Sequence, residues 1–287
     1  MKKTFKISRK EPGAGFFSNW FWLLGYVCMF DARGQEVCID TKSQKNLYNS
    51  KNIFRIRKSG YWDELFEVQK KHSSFDVQLV TDSYPSAYVP KRISGEDIVF
   101  NKKDLVIFRK AIKSHGLFKK NIYKNIYFEY SKIDFTKTLG VHYRAADKNI
   151  QRSDHKMNQS LDDYIEKAGE LMKKNKYEKL FLATDNCYAL EKFQQAFPKA
   201  LIFSHSNRIK GQYAKRGIHD SRFNKFLGYL TEVNIQNAYE VIEDALILSR
   251  CDSMLCGYSN VSDAAICIKE KSFNDLILVG NGRIIFE

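Results

Sequence analysis

The sequence predicts an α/β protein built from two Rossmann-like lobes with parallel sheets. The chain has 287 residues, a length that suits two such lobes or one large one. Short apolar segments of strand type alternate with helical segments along the chain. Three strands of the second half end in small polar or charged residues, as strands of parallel sheets do beside a ligand. We place the boundary between residues 131 and 136, giving an N-terminal lobe of residues 1–133 and a C-terminal lobe of residues 134–287.

The N-terminal half is predicted to open with two strands joined by a glycine turn and a helix. The predicted strands are residues 4–8, 36–40 and 76–80, and the predicted helices are residues 18–30, 61–71, 103–114 and 122–131. Residues 84–94 contain proline and are predicted to be irregular. The strand–helix–strand order at the start indicates a βαβ unit with parallel strands.

The C-terminal half continues the alternation more regularly. The predicted strands are residues 137–143, 179–185, 200–204 and 253–257, and the predicted helices are residues 161–174, 189–197, 233–249 and 261–269. Ser160 is expected to cap the first of these helices. The last residues, LILVGNGRIIFE, are predicted to form a hairpin around residues 280–282.

An apolar run near the N-terminus, FFSNWFWLLGYVCMF at residues 16–30, is predicted to be a buried helix. It is shorter than the roughly 20 residues that cross a bilayer, and it contains Ser18, Asn19 and Gly25. The six cysteines include no CxxC pair and no zinc spacing, which favours free thiols in a reducing compartment. We therefore expect a cytoplasmic protein, with peripheral membrane contact as an option.

The charge balance favours anionic partners. Lys and Arg number 47 against 33 Asp and Glu, a formal charge of +14. Nucleic acid, an anionic membrane face or phosphate-bearing small molecules would all fit, and so would a lysine-rich composition with no partner behind it. The lysines are scattered as pairs and form no long run, so we expect no nucleic-acid partner.

The first candidate motif is GVHYRAADK at residues 140–148. A buried strand delivers His142 and Arg144 on the same face. An arginine fork can hold a pyrophosphate with two hydrogen bonds, a neutral histidine can bond a base or ribose, and Asp147 can orient Arg144 or Lys148. A salt bridge between Arg144 and Asp147 without any ligand is the alternative.

A second strand ends in FLATDN at residues 181–186. Thr184 and Asp185 can bind ribose hydroxyls or base N–H groups at the end of this strand. The alternative is an N-cap for the next helix, supplied by Asp185 or Asn186, and both roles are compatible.

The third motif joins a helix that contains Asp244 to a strand that ends at Tyr258, Ser259 and Asn260. The hydroxyl, the amide and the N–H groups that open the next helix would make an anion cradle, or else a simple turn and cap. Parallel strands place their ends at one edge of the sheet. The three motifs together therefore predict a nucleotide site.

The N-terminal glycine turn, GAGFFS at residues 13–18, is similar to a dinucleotide fingerprint that lacks its third glycine. By itself it would indicate NAD or FAD binding. Gly13 and Gly15 presenting Asn19 to a second substrate or to a phosphate fits equally well. No DxD, P-loop or HExxH motif occurs, so we expect no metal and no cofactor.

These motifs resemble those of the fucosyltransferase superfamily with the GT-B fold, which includes α1,6-fucosyltransferases, the bacterial nodulation fucosyltransferase and, more distantly, protein O-fucosyltransferases. The shared signature is an HxRxxDK segment (residues 142–148), a strand that ends in ATD (183–185), and a DxxxLSxCD helix (244–252) that leads to a serine-rich turn (258–260). The likeness is strongest over residues 140–265.

The resemblance implies a metal-independent, inverting glycosyltransferase. It would move a sugar, fucose first, from a nucleoside diphosphate sugar, GDP first, to a hydroxyl of a glycan or glycolipid. Residues 1–133 would form the acceptor side and residues 134–287 the donor lobe. Arg144 would hold the β-phosphate, His142 and Asp185 would contact the nucleoside, and Ser259 with Asn260 would complete the diphosphate cradle.

Two departures keep other functions open. Ala145 stands where α1,6-fucosyltransferases have a second arginine, and Arg152 stands where they have an acid that resembles the base. Asp147 or Asp154 would then substitute as the base, or the leaving phosphate would take the proton. The alternatives are another donor such as a UDP-sugar, a non-catalytic nucleotide-sugar or polyanion-binding protein, and an NAD-dependent enzyme.

Overall fold

The computed structural model describes residues 4–9, 15–42, 48, 60–67, 76–81, 90–94, 97–144, 160–203, 233–280 and 283–287. Within these ranges the strands form three sheets. Two of the sheets are entirely parallel, and the third combines one parallel and one antiparallel pair. The predicted α/β class with parallel sheets is confirmed.

The first sheet contains the predicted βαβ unit. Strands β1 (Thr4–Arg9), β2 (Glu36–Ile39) and β3 (Val77–Thr81) lie in the order β2-β1-β3. Helix α1 (Phe16–Asp31) connects β1 to β2. It begins two residues earlier than predicted, because Gly15 has extended backbone angles and takes the N-cap position.

Helix α1 is buried on almost every side. Trp20 and Trp22 are fully buried, the ring of Trp20 meets Phe108 at 5.4 Å, and Phe16 stacks on Phe66 at 6.1 Å. Burying a large apolar side chain contributes about 1.5–3 kcal/mol. The apolar run is therefore a core helix, as predicted. Across the described ranges, no helix is long and apolar enough to cross a membrane.

The chain between the two parallel sheets forms α2 (Tyr61–Leu65), β4 (Lys91–Ser94), β5 (Asp97–Phe100), α3 (Lys102–Ala111) and α4 (Lys120–Glu129). Helix α2 is shorter than the predicted residues 61–71, because the next residue leaves the helix to form an isolated antiparallel bridge. The section predicted to be irregular ends in β4, which pairs antiparallel with β5.

The second parallel sheet has the order of a Rossmann fold. Its strands are β6 (Thr138–Tyr143), β7 (Lys179–Thr184), β8 (Leu201–Phe203), β9 (Ser253–Cys256) and β10 (Leu276–Leu278), and its helices are α5 (Leu161–Asn175), α6 (Cys187–Ala196), α7 (Val233–Arg250) and α8 (Asn260–Ile268). The order β10-β9-β6-β7-β8 makes β6 and β9 neighbours. The strand order reverses between these two, so ligands are expected at their carboxyl ends. Ser160 caps α5 as predicted.

The predicted hairpin around residues 280–282 is wrong. Strand β10 pairs in parallel with β9, whereas β11 (Ile284–Phe286) pairs in parallel with β5 in the small third sheet. Each strand satisfies its backbone groups with a different distant neighbour, so they do not pair with each other. The end of the chain is thereby joined to its first half. The division at residues 131–136 stays a prediction.

Helix α8 is held by two cations from the first half of the chain. Arg109 of α3 donates to the carbonyl oxygens of Ile266, Cys267 and Lys269 at 3.2, 3.2 and 2.6 Å. Nearer the other end, Lys91 pairs with the fully buried Asp263. Cations are favourable at the carbonyl end of a helix. These contacts fix the direction in which the N-terminus of α8 points.

Candidate functional site

A cleft opens at the edge of the second parallel sheet where the strand order reverses. Its walls are the ends of β6 and β7, the N-termini of α1 and α8, and one face of α7. Two of the three predicted motifs thus end at this cleft, and the third reaches it through the start of α8. Ligands of parallel α/β sheets bind at such an edge.

His142 is a buried side chain at the end of β6 that lines the cleft. Its Nδ1 lies 2.6 Å from the hydroxyl of Ser262, and that hydroxyl lies 3.3 Å from the carbonyl oxygen of Gly257. When the hydroxyl donates to Gly257, the ring proton resides on Nδ1 and the neutral ring accepts through Nε2. Ser262 therefore orients the ring, a role that its position two residues inside α8 did not suggest from sequence.

Arg144 lies two residues after His142 and also lines the cleft. Its Nε is 3.8 Å from Oδ2 of Asp185, which links the ends of the neighbouring strands β6 and β7. Both side chains are partly exposed. The ion pair joins two of the predicted site residues. The pairing with Asp147 that the sequence suggested lies outside the described residues.

At the end of β7, one residue caps the next helix and two others line the cleft. Asn186 accepts the backbone N–H of Ala189 at 2.9 Å and caps α6. Thr184 is buried, accepts the backbone N–H of Asn186 at 3.3 Å, and lines the cleft beside Asp185. The helix cap is thus Asn186, which leaves the carboxylate of Asp185 on the cleft wall.

At the start of α8, Ser259 accepts the backbone N–H of Val261 at 3.3 Å and caps the helix. Asn260 is exposed and lines the cleft together with Val261, whereas Tyr258 and Ser259 are buried behind the wall. The structure therefore brings Asn260 to the cleft directly, and Ser259 contributes through the cap.

The glycine turn reaches the cleft from the opposite side. Gly15 and the first turn of α1 (residues 16–18) line it, and α1 has no side-chain cap. A side chain at Gly15 would meet nothing within 4 Å, which agrees with an open wall. Asn19 is buried, and its Oδ1 accepts from Arg9 at 3.1 Å, so it lies behind the wall. Gly13 is outside the described residues.

Helix α7 contributes Asn237, Glu240, Val241 and Asp244 to the cleft. Their spacing of three, four and seven residues places them on one helical face. Asp244 was predicted as a site residue. Glu240 was not, although the same spacing in the sequence would have found it. Its residue is only 9% exposed, so the carboxylate is largely shielded.

Tyr48 is a buried side chain that packs beside the first turn of α1, with its ring 5.4 Å from the ring of Phe16. Burial raises the pKa of Tyr48 above its ordinary value, while the backbone of Phe16 and the charge of Arg144 act in the opposite direction. Tyr48 therefore packs against α1 as a neutral phenol.

Asp147, Lys148 and Asp154 lie outside the described residues, so their predicted catalytic roles stay predictions. Among the described residues, no group of three or more His, Cys, Asp or Glu side chains could hold a metal ion. None of the six cysteines forms a disulfide.

Solved structures with a similar fold include the fucosyltransferase NodZ from Bradyrhizobium. A crystal structure of NodZ α-1,6-fucosyltransferase soaked with GDP-fucose matches with a TM-score of 0.50 and 14% identity over 93% of each chain. The same enzyme co-crystallised with GDP matches with a TM-score of 0.50 and 15% identity over 92% of each chain. The chain has a GT-B fucosyltransferase-like fold.

POFUT1 in complex with GDP matches with a TM-score of 0.49 and 11% identity, over 97% of this chain and 98% of that one. No protein-family model and no curated protein sequence matches the chain. The NodZ matches confirm the expected fold, and their sequence identities are too low to show more than the fold.

Proposed function

We propose that the protein is a metal-independent, inverting glycosyltransferase. It transfers a sugar from a nucleoside diphosphate sugar to a hydroxyl of a glycan or glycolipid. Fucose is our first choice of sugar, and GDP is our first choice of nucleotide. The observation that carries the proposal is the cleft, where His142, Arg144 and Asp185 at two strand ends meet two helix N-termini. A fold shared with an enzyme that was soaked with GDP-fucose supports this choice of donor.

The charges of the cleft suggest where the diphosphate would bind. The described lining contains one arginine, Arg144, against the carboxylates of Asp185, Glu240 and Asp244. A diphosphate is repelled by the α7 face and favoured beside Arg144 and the helix N-termini, each equivalent to about half a positive charge. The predicted Lys148 would add a further cation. The nucleoside would then extend towards His142 and Asp185, while Thr184 and Asp244 would bind its hydroxyl or N–H groups.

The chemistry follows from this placement. The bond between the anomeric carbon and the β-phosphate oxygen breaks through an oxocarbenium-like transition state. Arg144 stabilises the negative charge that grows on the leaving diphosphate, and the acceptor attacks the opposite face of the sugar, which inverts the anomeric carbon. Cations of the protein replace a metal ion in this scheme, so transfer should continue in the presence of a chelator.

A thermal-shift panel of GDP-, UDP-, dTDP- and CMP-sugars tests the proposal. A ligand that binds only the folded protein at about 100 times its Kd raises the unfolding free energy by ~2.7 kcal/mol. For a chain of this size, that is a rise of several degrees in Tm. We expect the rise with GDP-fucose and GDP. No shift with any nucleotide would contradict the proposal.

A non-catalytic nucleotide-sugar or polyanion-binding protein is the second candidate, motivated by Ala145 and Arg152 in the sequence. It predicts a shift with nucleotides but neither transfer nor donor hydrolysis. A UDP-sugar donor is distinguished by the same panel.

Peripheral membrane contact also stays a proposal. The exposed face of α3 carries Val106, 67% exposed, beside Ile107, with Lys103 and Lys110 one turn away on either side. Apolar residues flanked by lysines suit an anionic lipid surface, and co-sedimentation with phosphatidylserine vesicles against neutral vesicles tests this.

A further inference from the structure

The α7 face that lines the cleft carries two carboxylates one turn apart, Glu240 and Asp244. Carboxylates do not serve a diphosphate, because like charges repel. They serve hydroxyl or N–H donors. The two therefore face parts of the ligands other than the phosphates, and their heights along the helix indicate which parts.

The end of α7 lies beside the start of β6. The backbone N–H of Asp252 is 3.1 Å from the carbonyl oxygens of Phe135 and of Thr138. Further along, a side chain at Gly140 would come within 3.0 Å of Leu248 and within 3.2 Å of Cys251. Helix α7 and strand β6 thus pack closely and run in opposite directions, and Gly140 is level with the turn between Leu248 and Cys251.

The rise per residue then gives the levels within the cleft. From the middle of that turn, five to six residues back along the helix reach Asp244, about 8 Å away. Two residues along the strand from Gly140 reach His142, about 7 Å away. Asp244 is therefore level with His142, at the height proposed for the nucleoside.

Glu240 lies one turn further along the helix, about 14 Å from the middle of that turn. Arg144 lies about 13 Å from Gly140 along the strand direction. Glu240 is therefore level with Arg144, at the height where the proposed transfer breaks the bond to the β-phosphate. Of the three carboxylates in the described lining, Asp244 is level with the nucleoside. Asp185 follows the residue that pairs with Tyr143, so it is level with Arg144 and lies against its guanidinium at 3.8 Å. On the α7 face, Glu240 is the carboxylate at the height of the reacting carbon.

We propose that Glu240 is the general base of the transfer, an inference that rests on the proposed function. The carboxylate of Glu240 takes the proton from the acceptor hydroxyl as that oxygen forms its bond to the anomeric carbon. The bond from this carbon to the β-phosphate oxygen breaks, and its electron pair leaves with the nucleoside diphosphate. Glu240 then returns its proton to solvent. The position is a substitute for the acid replaced by Arg152.

The test compares Glu240→Gln with Glu243→Gln. Glu243 is on the same helix, does not line the cleft, and accepts the hydroxyl of Tyr130 at 2.5 Å. General base catalysis contributes about 10²–10⁴-fold. We expect Glu240→Gln to lower kcat by that factor while the GDP-induced thermal shift is kept, and Glu243→Gln to keep the wild-type kcat.

The pH profile separates a base from a residue that only supports the fold. Wild-type kcat should fall on the acidic side of its pH profile, as it does for an enzyme that depends on a general base. Glu240→Gln should lose that acidic limb, and Glu240→Asp should recover part of the rate and the limb with it.

Three results would overturn the inference alone. The first is transfer by Glu240→Gln within about threefold of the wild type, since a base contributes far more. The second is loss of the GDP-induced shift together with activity in Glu240→Gln. An Asp147→Asn or Asp154→Asn variant that loses the acidic limb, while Glu240→Gln keeps it, would also overturn it. A wild-type protein that neither binds a GDP-sugar nor transfers from one would instead overturn the proposed function, and the inference with it.

Discussion

The two parallel sheets end in polar residues in the same way but use them differently. In the first sheet, Arg9 at the end of β1 donates to Ser18 and Asn19 of α1 at 3.2 and 3.1 Å, and Arg9 is largely buried. In the second sheet, Arg144 and Asp185 form a partly exposed pair on the cleft wall. A strand-end arginine is therefore a candidate ligand residue only where a cleft meets it. In the first sheet it stabilises the turn.

The largest effect on activity is expected at Arg144, and its absence would contradict this comparison. Removing one preorganised donor to a developing charge costs about 3 kcal/mol of transition-state stabilisation. Arg144→Ala should lower kcat by ~10²-fold or more, with an unchanged circular dichroism spectrum. Arg250→Ala is the matched control, because Arg250 stacks on Tyr127 and Phe135 at the opposite end of α7. Near wild-type transfer by Arg144→Ala would remove the basis for the site.

Arg9 should show the opposite pattern. Arg9→Ala removes the guanidinium that donates to Ser18 and Asn19, and the loss of these buried hydrogen bonds costs about 1–3 kcal/mol of unfolding free energy. Urea denaturation should register that loss while the GDP-induced thermal shift remains, and Arg33→Ala in an exposed turn should cost little. If Arg9→Ala were fully stable but no longer bound donor, the first sheet would also carry a ligand site.

The smallest effects are expected at the end of β7, where Asn186 caps a helix and Asp185 lines the cleft. Asn186→Ala removes the cap of α6 and should cost about 1 kcal/mol of stability, with little change in GDP affinity. Asp185→Asn should weaken GDP binding and leave stability nearly intact, because its carboxylate lies on the cleft wall. Calorimetric titration with GDP beside urea denaturation measures both. If Asn186→Ala weakened GDP binding and Asp185→Asn lowered stability, the ligand contact would belong to Asn186.

The regular part of the fold could be predicted because its signals are local. The strands that end at His142 and Thr184 are continuous apolar segments, and Ser160 caps its helix with side-chain bonds only three residues away. Three strand ends with polar residues also pointed to one edge of a sheet, and β7, β6 and β9 are adjacent.

The parts that could not be predicted depend on contacts between distant residues. The backbone N–H of Arg283 donates to Asp97 at 2.8 Å across 186 positions, and no local pattern identifies β5 as the partner of β11. Asn19 was expected to face a substrate, but whether it faces the cleft or Arg9 depends on how β1 packs against α1. Glu240 was missed because the apolar periodicity that predicted its helix identifies the buried face and gives no weight to a carboxylate on the cleft side.

The bonds that Arg109 and Lys91 make to α8 affect how firmly its N-terminus is held at the cleft. Both cations come from the half of the chain that also supplies α1, whereas α8 follows directly from the sheet that carries His142. Because α8 is bonded to both halves, a relative shift of the two walls of the cleft would have to carry or break these bonds. Asn260 at the start of α8 is therefore held in place from both sides. The arrangement stiffens the proposed diphosphate anchor.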